Sequence, residues 1–272
     1  MLRIKQEEHL VTIQSELCDR AFVRYSRQIM VAEVGELGQV ALTQAQVLIV
    51  GAGGLGSAAA MYLAAAGVGL VVIADDDEVE ISNLQRQVIY READISHSKA
   101  VAACQQLNAL NPSIRTRAVQ AKLAGLQLEI EVQQADIVLD CSDNWVTRYA
   151  VNQACYQHQT PLITGASIGW QGQLLAFDFR QTSPCYQCVF PLRNEVSPQD
   201  QNCRSNGVMG PVVGTIGTLQ ALNAIKTIID VGEVGFGLLQ QFNGLTGKWQ
   251  QVSVDADSAC PVCGQQEQRE VG

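Results

Sequence analysis

The chain has 272 residues, 47% of them apolar, which is enough for one large α/β domain or two small ones with a substantial buried core. A formal net charge of -9 argues against a general nucleic-acid binder, so any basic residue that meets phosphate must act locally. No apolar run in the sequence reaches the length of a membrane span, and the charged opening Met1-Leu2-Arg3-Ile4-Lys5 lacks the apolar stretch of a signal peptide, which points to the cytosol.

Residues 1–20 read as a polar, amphipathic helical extension with Leu10, Ile13 and Leu17 at helical spacing. The helical pattern continues through residues 24–29, with Phe22, Tyr25 and Ile29 on one face and Arg24 and Arg27 one turn apart. Spacing alone fits a solvated basic face. Next, Val47-Leu48-Ile49-Val50 runs straight into Gly51-Ala52-Gly53-Gly54-Leu55-Gly56 and a small-residue segment that Gly67 ends. This is the pattern of a buried parallel strand, a tight turn and a helix. Glycines at such a turn let the backbone approach a phosphate while the first N–H groups of the helix point at it. A turn kept for helix–strand packing is the competing explanation.

Leu70–Ala74 reads as the second strand, ending in Asp75-Asp76-Asp77-Glu78. Asp75 lies about 20 residues beyond the glycine turn, the spacing of an acid that holds ribose hydroxyls. The other carboxylates are solvated loop charges unless one faces a metal ion. In Ser82-Asn83-Leu84-Gln85-Arg86-Gln87, Asn83 and Gln85 can donate and accept, and Arg86 can fork onto phosphate oxygens. Ser96 is expected as the N-cap of the next helix, with His97 on the surface. Lys99 then falls in the first turn, where a cation opposes the dipole unless an anion lies nearby.

Residues 114–119 form a third predicted strand and 124–133 a helix. Residues 136–140 form a strand that ends in Cys141-Ser142-Asp143-Asn144. Asp143 and Asn144 fall at a strand's carboxyl end, on the crevice side of a doubly wound sheet. Asn144 could equally cap the helix that follows, and Asp143 could be a loop acid. Cys141 and Cys155 read as small buried hydrophobes. Residues 161–165 are a fifth strand, and 171–179 alternate like an antiparallel one, so the sheet is mixed.

Of nine cysteines, four form two Cys-x-x-Cys knuckles, Cys185/Cys188 and Cys260/Cys263. An odd count is a poor disulfide framework, whereas two knuckles complete a closed, structural four-cysteine zinc site. Between them, residues 191–207 read as a loop carrying Asn202-Cys203-Arg204, where the arginine favours the Cys203 thiolate and makes it a candidate nucleophile. A long apolar helix over residues 211–230 and strands near 238–242 and 249–254 close the chain. The absence of a composition break favours one domain.

The ordered set Arg-Tyr-Ser-Arg-Gln-Ile (24–29), Gly-Ala-Gly-Gly-Leu-Gly (51–56), Ala-Asp-Asp-Asp (74–77), Ser-Asn-Leu-Gln-Arg-Gln (82–87), Lys99, Asp-Cys-Ser-Asp-Asn (140–144) and the paired knuckles resembles the ThiF/MoeB/HesA family of ubiquitin-activating-enzyme-like adenylyltransferases, over residues 22–264. Asn-Cys-Arg followed by Gly-Val-Met-Gly-Pro-Val-Val-Gly (207–214) is closest to the ThiF branch. Asn206 departs from that pattern. The resemblance implies a Rossmann-like, doubly wound mixed sheet with a C-terminal antiparallel portion, as one domain over residues 21–272. It also implies ATP, Mg2+ and Zn2+ as cofactors. The implied activity is adenylation of the C-terminal glycine carboxylate of a ubiquitin-like sulfur carrier, in thiamine thiazole synthesis or on the molybdopterin-synthase carrier. The nucleotide set would be Gly51, Gly53, Gly54, Gly56, Asp75, Asp77, Ser82, Asn83, Gln85, Arg86, Lys99, Asp143 and Asn144. Arg27 would serve the other subunit of a homodimer, and Cys203 the sulfur step, with a donor such as a cysteine desulfurase. Two rival classes remain. A nicotinamide dehydrogenase fits the glycine turn but leaves Arg86, Lys99 and the knuckles without work. A non-catalytic scaffold for a ubiquitin-like partner would require a decayed nucleotide site.

Overall fold

The computed structural model describes residues 17–181, 183–192 and 207–264. Helix α1 (Asp19–Ile29) and α2 (Gly35–Gln44) precede β1 (Gln46–Val50), α3 (Gly54–Ala66), β2 (Leu70–Ala74), α4 (Lys99–Leu110) and β3 (Arg115–Val119). Then come α5 (Gly125–Gln134), β4 (Ile137–Asp140), α6 (Trp145–His158), β5 (Leu162–Ile168), β6 (Gln171–Phe177) and the short α7 (Tyr186–Val189). The long α8 (Gly210–Ile229) leads to the hairpin β7 (Leu238–Asn243) and β8 (Lys248–Ser253).

All eight strands form one sheet in the order β3-β2-β1-β4-β5-β6-β7-β8. The first five are mutually parallel, and β6, β7 and β8 add antiparallel to that edge. The mixed sheet expected from the alternation over 171–179 is therefore present. From β1 the chain moves first toward β2 and later returns to β4 on the other side. The crevice between the ends of β1 and β4 is thus the topological switch point, where such sheets bind ligands.

The central strands carry near-continuous apolar runs, Val47–Val50 in β1 and Ile137–Leu139 in β4, because both faces are covered. Val47 and Ile49 face a layer built by α3, α4 and α8, whereas Leu48 and Val50 face the layer of α5 and α6. Each fully buried side chain of this kind stabilises by about 1.5–3 kcal/mol. The small-residue composition of α3 sets its distance from α8: a Cβ on Gly217 would lie 2.3 Å from the Leu55 carbonyl oxygen. Gly67 ends α3 in the left-handed conformation, φ 87°.

Three features differ from the sequence expectation. Helix α2 has no counterpart among the predicted elements. Ser98, not Ser96, stands at the N-cap of α4, and Ser96 takes φ 66° two residues before it. Helix α8 does have the length and apolarity of a membrane span, contrary to the reading of the linear sequence. Its close fit against α3 and against Gly165 and Gly172 of the sheet makes it a core helix. Leu10 and Ile13 of the expected N-terminal helix lie outside the described residues.

Candidate nucleotide site and four-cysteine centre

The glycines of the first turn do different jobs. Gly51 takes φ 96°, and a Cβ there would meet the Cys141 carbonyl oxygen at 2.8 Å. Only glycine lets the β1 turn pass so close to the β4 turn. A Cβ on Gly56 would sit 2.0 Å from the Gly51 carbonyl oxygen, and one on Gly54 would be 2.5 Å from Val213 Cγ1. These three serve packing. Gly53 is the exception. A Cβ there would meet only Gln87 Nε2, at 3.9 Å, so open space lies over the turn at the N-terminus of α3. That space is where a phosphate can approach backbone N–H groups.

Asp75 leaves the end of β2 and folds back onto this turn. Its Oδ2 accepts the Ala52 N–H at 2.7 Å and its Oδ1 the Asp77 N–H at 2.8 Å. A carboxylate has about four lone-pair sites, so both oxygens can still accept a hydroxyl. Burial raises the Asp75 pKa, opposed by the Ala52 N–H and the Lys99 charge. Lys99 is buried, and its Nζ donates to Asp77 Oδ2 at 2.8 Å. The anion that the position of Lys99 called for is therefore supplied within the chain, by a carboxylate that is itself 56% exposed. An exposed partner can be exchanged for, or joined by, a ligand phosphate.

The segment 82–87 is clamped between two helix starts. The Arg86 carbonyl oxygen lies 3.2 Å from a Cβ built on Gly54 of α3, and the Gln85 carbonyl oxygen 2.7 Å from one on Gly210 of α8. Asn83 is buried and has local work: Oδ1 accepts the Glu80 N–H at 3.2 Å and Nδ2 donates to Ser82 Oγ at 3.4 Å. Arg86 spends one of its five donors on the Ser82 carbonyl, at 3.0 Å. Gln85 and Ser82 are exposed, as is His97.

The 141–144 turn completes the edge. Asn144 Oδ1 accepts the Thr147 N–H at 2.9 Å, so its structural role as the cap of α6 is realised. Asp143 is exposed at the carboxyl end of β4. Cys141 and Cys155 are buried as expected. Burial holds both thiols above their usual range, which removes them as nucleophiles.

Several residues that shape this edge carry no signal in the sequence. Arg148 on α6 is buried; it donates to the Ser142 carbonyl, to Thr164 Oγ1 at 2.9 Å and to the Gly165 carbonyl at 2.8 Å, with Asp140 as its counter-charge at 3.7 Å. Gln220 on α8 donates to the Asp140 carbonyl at 2.9 Å. Tyr90 hydroxyl is shared between the Ala52 carbonyl at 2.8 Å and the Lys99 carbonyl at 3.2 Å, joining the glycine turn to the start of α4. Gln87 sits beside Gly53 with its buried Oε1 unpartnered among the described residues. An orphaned acceptor next to the open turn fits a site made to receive a ligand donor.

The two knuckles come together although Cys185 and Cys260 are 75 positions apart in the chain. Sγ–Sγ distances are 4.0 Å for Cys185–Cys188, 3.6 Å for Cys185–Cys260 and 3.2 Å for Cys188–Cys263. All are too long for a disulfide. They bracket the edge of about 3.8 Å that a tetrahedron with metal–sulfur bonds of about 2.3 Å requires. The Asp257 N–H points at Cys188 Sγ, at 3.5 Å.

Arg27 is not brought to this edge. Helix α1 is fastened at the opposite end of α3: Gln28 Nε2 donates to the Ala66 carbonyl at 3.2 Å, and Tyr25 hydroxyl accepts from Asn111 Nδ2 at 2.8 Å. Cys203, with its neighbours Asn202 and Arg204, lies outside the described residues.

Several known proteins are similar to this chain. The sulfur carrier protein ThiS adenylyltransferase of Escherichia coli K12 is 47% identical over 246 residues, covering 90% of this chain and 96% of its own length. The molybdopterin-synthase adenylyltransferase of the same organism is 38% identical over 251 residues, covering 92% and 100%. The crystal structure of E. coli MccB with ATP superposes with a TM-score of 0.76, over 89% of this chain and 73% of that one, at 23% identity, which establishes a common fold. The ThiF family model matches residues 25–262, from α1 through the second knuckle. The chain therefore belongs to the ThiF family.

Proposed function

We propose that this protein is an adenylyltransferase that uses ATP to activate the C-terminal glycine carboxylate of a ubiquitin-like sulfur carrier, for thiamine thiazole synthesis. The observation that carries this is the open space over Gly53, bounded by Asp75 and the Arg86 segment, in a chain 47% identical to a ThiS adenylyltransferase.

The chemistry needs little from the protein beyond position and charge. A terminal carboxylate, with a pKa of about 3.3–3.7, is ionised at neutral pH, so no general base is required. Its oxygen attacks the α-phosphorus while the bond from that phosphorus to the bridging oxygen breaks. The electron pair leaves with pyrophosphate, and an acyl adenylate remains. Negative charge gathers on the phosphate oxygens, and Arg86 and Lys99 are the cations of this edge able to neutralise it. Asp75 would hold the ribose, with Asn83, Ser82, Gln85, Asp77 and Asn144 lining the path. Asp143 would hold Mg2+, which adds charge neutralisation at the phosphates. Arg27 would complete the site of a second copy in a homodimer. The four cysteines would hold Zn2+ as a closed structural centre tying the C-terminus to the body. Displacement of AMP by sulfur from a donor such as a cysteine desulfurase would give the thiocarboxylate, with Cys203 as the residue that joins the carrier through sulfur. All of this chemistry belongs in the cytosol, as does the free-thiol cysteine usage.

The 38% identity to a molybdopterin-synthase adenylyltransferase supports a second carrier. ATP–pyrophosphate exchange with each carrier added separately decides between them. Exchange with the thiamine carrier alone is expected. Exchange with the molybdopterin carrier alone moves the pathway, and no exchange with either overturns the activity.

A further inference from the structure

Asn152 lies on α6, fully buried, two turns past the Asn144 cap. Its Oδ1 accepts the Tyr186 backbone N–H at 2.8 Å, which seats its carboxamide against the residue that follows Cys185. The other half of that carboxamide is unused: Nδ2 has no hydrogen-bond partner among the described residues. An unmade hydrogen bond at a buried amide is destabilising. Thr164 in the same layer is paired, and so is Arg148 one turn earlier on the same helix. The nearby group whose capacity to accept changes with the state of the protein is Cys185 Sγ, itself fully buried. As a thiol it is a weak acceptor. As a metal-bound thiolate it is a strong one.

We propose that Asn152 is a positioning residue for the four-cysteine centre, donating through Nδ2 to Cys185 Sγ when that sulfur ligates a metal ion. The inference rests on the reading of the four cysteines as a metal centre. It assigns to Cys185 from a side chain what Cys188 receives from the Asp257 N–H. Groups that orient a ligand in this way typically contribute 10–100-fold to metal affinity. The placement also joins two parts of the molecule. Asn152 faces the knuckle, and Arg148, one turn away on α6, holds the Ser142 carbonyl of the nucleotide edge.

The test uses full-length protein and zinc, measured by competition with a chromophoric chelator. Asn152→Asp keeps an oxygen for the Tyr186 N–H and removes the donor. It is expected to bind zinc about 10–100-fold more weakly, and its cobalt form to show a shifted thiolate-to-metal charge-transfer band. Affinity within twofold of the parent, with an unshifted band, overturns the proposal. A buried carboxylate can prevent folding, so the parent protein loaded with cadmium-113 supplies a second measurement. Scalar coupling between the metal and the Asn152 side-chain amide protons is expected, with the Asp257 amide as internal control. A visible Asp257 coupling without an Asn152 coupling overturns the proposal. Parent protein that takes up no metal overturns the metal centre as well, whereas metal bound equally by both forms overturns this inference alone.

Discussion

Alanine at Gly53 and at Gly56 should separate a phosphate-binding turn from a packing turn. At Gly53 the backbone has φ -73°, which alanine adopts, and the added methyl meets only Gln87 Nε2 at 3.9 Å. Losing the entropy of a glycine in the unfolded chain stabilises by about 0.4–1 kcal/mol. Alanine is a poorer N-cap than glycine by a similar amount, so the two offset each other. The expected net change is within about 1 kcal/mol, or about 2–4 °C in Tm for a domain of this size. At Gly56 the methyl would sit 2.0 Å from a backbone oxygen that cannot rotate away. Overpacking costs about 1–3 kcal/mol, and this contact belongs at the top of that range, lowering Tm by about 6–12 °C. Affinity for ATP should follow the opposite order. The Gly53 methyl occupies the space a phosphate needs, and at least a tenfold rise in Kd is expected, about 1.4 kcal/mol. Thermal melts paired with calorimetric ATP titrations read both quantities. A Gly53→Ala protein that binds ATP with unchanged Kd would refute the assignment and leave the turn to packing alone.

Lys99→Ala removes a buried cation and strands the exposed Asp77 carboxylate without its partner. It should fold, because Asp77 is open to water, yet lose carrier-dependent pyrophosphate exchange by more than about a hundredfold; normal exchange would show that Lys99 serves only its ion pair. Cys263→Ser should lower bound zinc from about one ion per chain to a small fraction of that, by elemental analysis, because the closed site needs four thiolates; unchanged zinc would remove Cys263 from the ligand set. Asp75 should titrate above the usual carboxylate range in the ligand-free protein, because burial raises its pKa. The folded state then holds this proton more tightly than the unfolded one, so the stability this group contributes is complete below pH about 4 and falls as pH rises through the higher folded pKa. Carbon-13 NMR of the carboxyl group checks this, and a normal or lowered pKa would contradict it.

Local pattern carried much of this architecture. An apolar run into a glycine cluster, a second strand ending in acids and a pair of knuckles are all written in neighbouring residues. The elements β1, α3, β2 and β6 were accordingly legible. Helix α2 was not, because Gly-Glu-Leu-Gly opens it without a capping side chain and its buried residues are Gly38, Gln39 and Leu42, of which only one is a large apolar side chain. Ser96 and Ser98 are equally good caps on paper. The choice fell to tertiary contacts, with Ser96 N–H bonded to the Val79 carbonyl and Lys99 N–H to the Asp77 carbonyl. The supports of the site were illegible for the same reason. Arg148 meets Thr164 and Gly165 of β5 and Asp140 of β4, and Gln220 meets Asp140 from 80 residues away. In the sequence each is a single polar residue with no partner nearby in the chain. Only the folded chain reveals that each is a buried polar group placed under a turn.

Arg27 is where one folded chain and the chemistry of the site part company, and that gap can be tested. Helix α1 is pinned by Gln28 to the Ala66 carbonyl and by Arg24 to the Leu110 carbonyl, both at the far ends of helices whose starts line the nucleotide edge. Helix α3 runs 13 residues from Gly54 to Ala66, about 18 Å at 1.5 Å per residue. An arginine side chain spans less than half of that, so Arg27 cannot serve the glycine turn of its own chain. In a twofold dimer each site could draw Arg27 from the other copy. Inactive Arg27→Ala and Lys99→Ala proteins, unfolded together and refolded as a mixture, then give mixed dimers in which one site has both residues and the other has neither. Random pairing makes half of the dimers mixed, each with one of two sites intact, so about one quarter of parental exchange activity should return. If Arg27 acts only within its own chain, or not at all on the nucleotide, every site in the mixture lacks a needed residue or Arg27→Ala was never inactive. Either result would sink the shared site and, with it, the case for a homodimer.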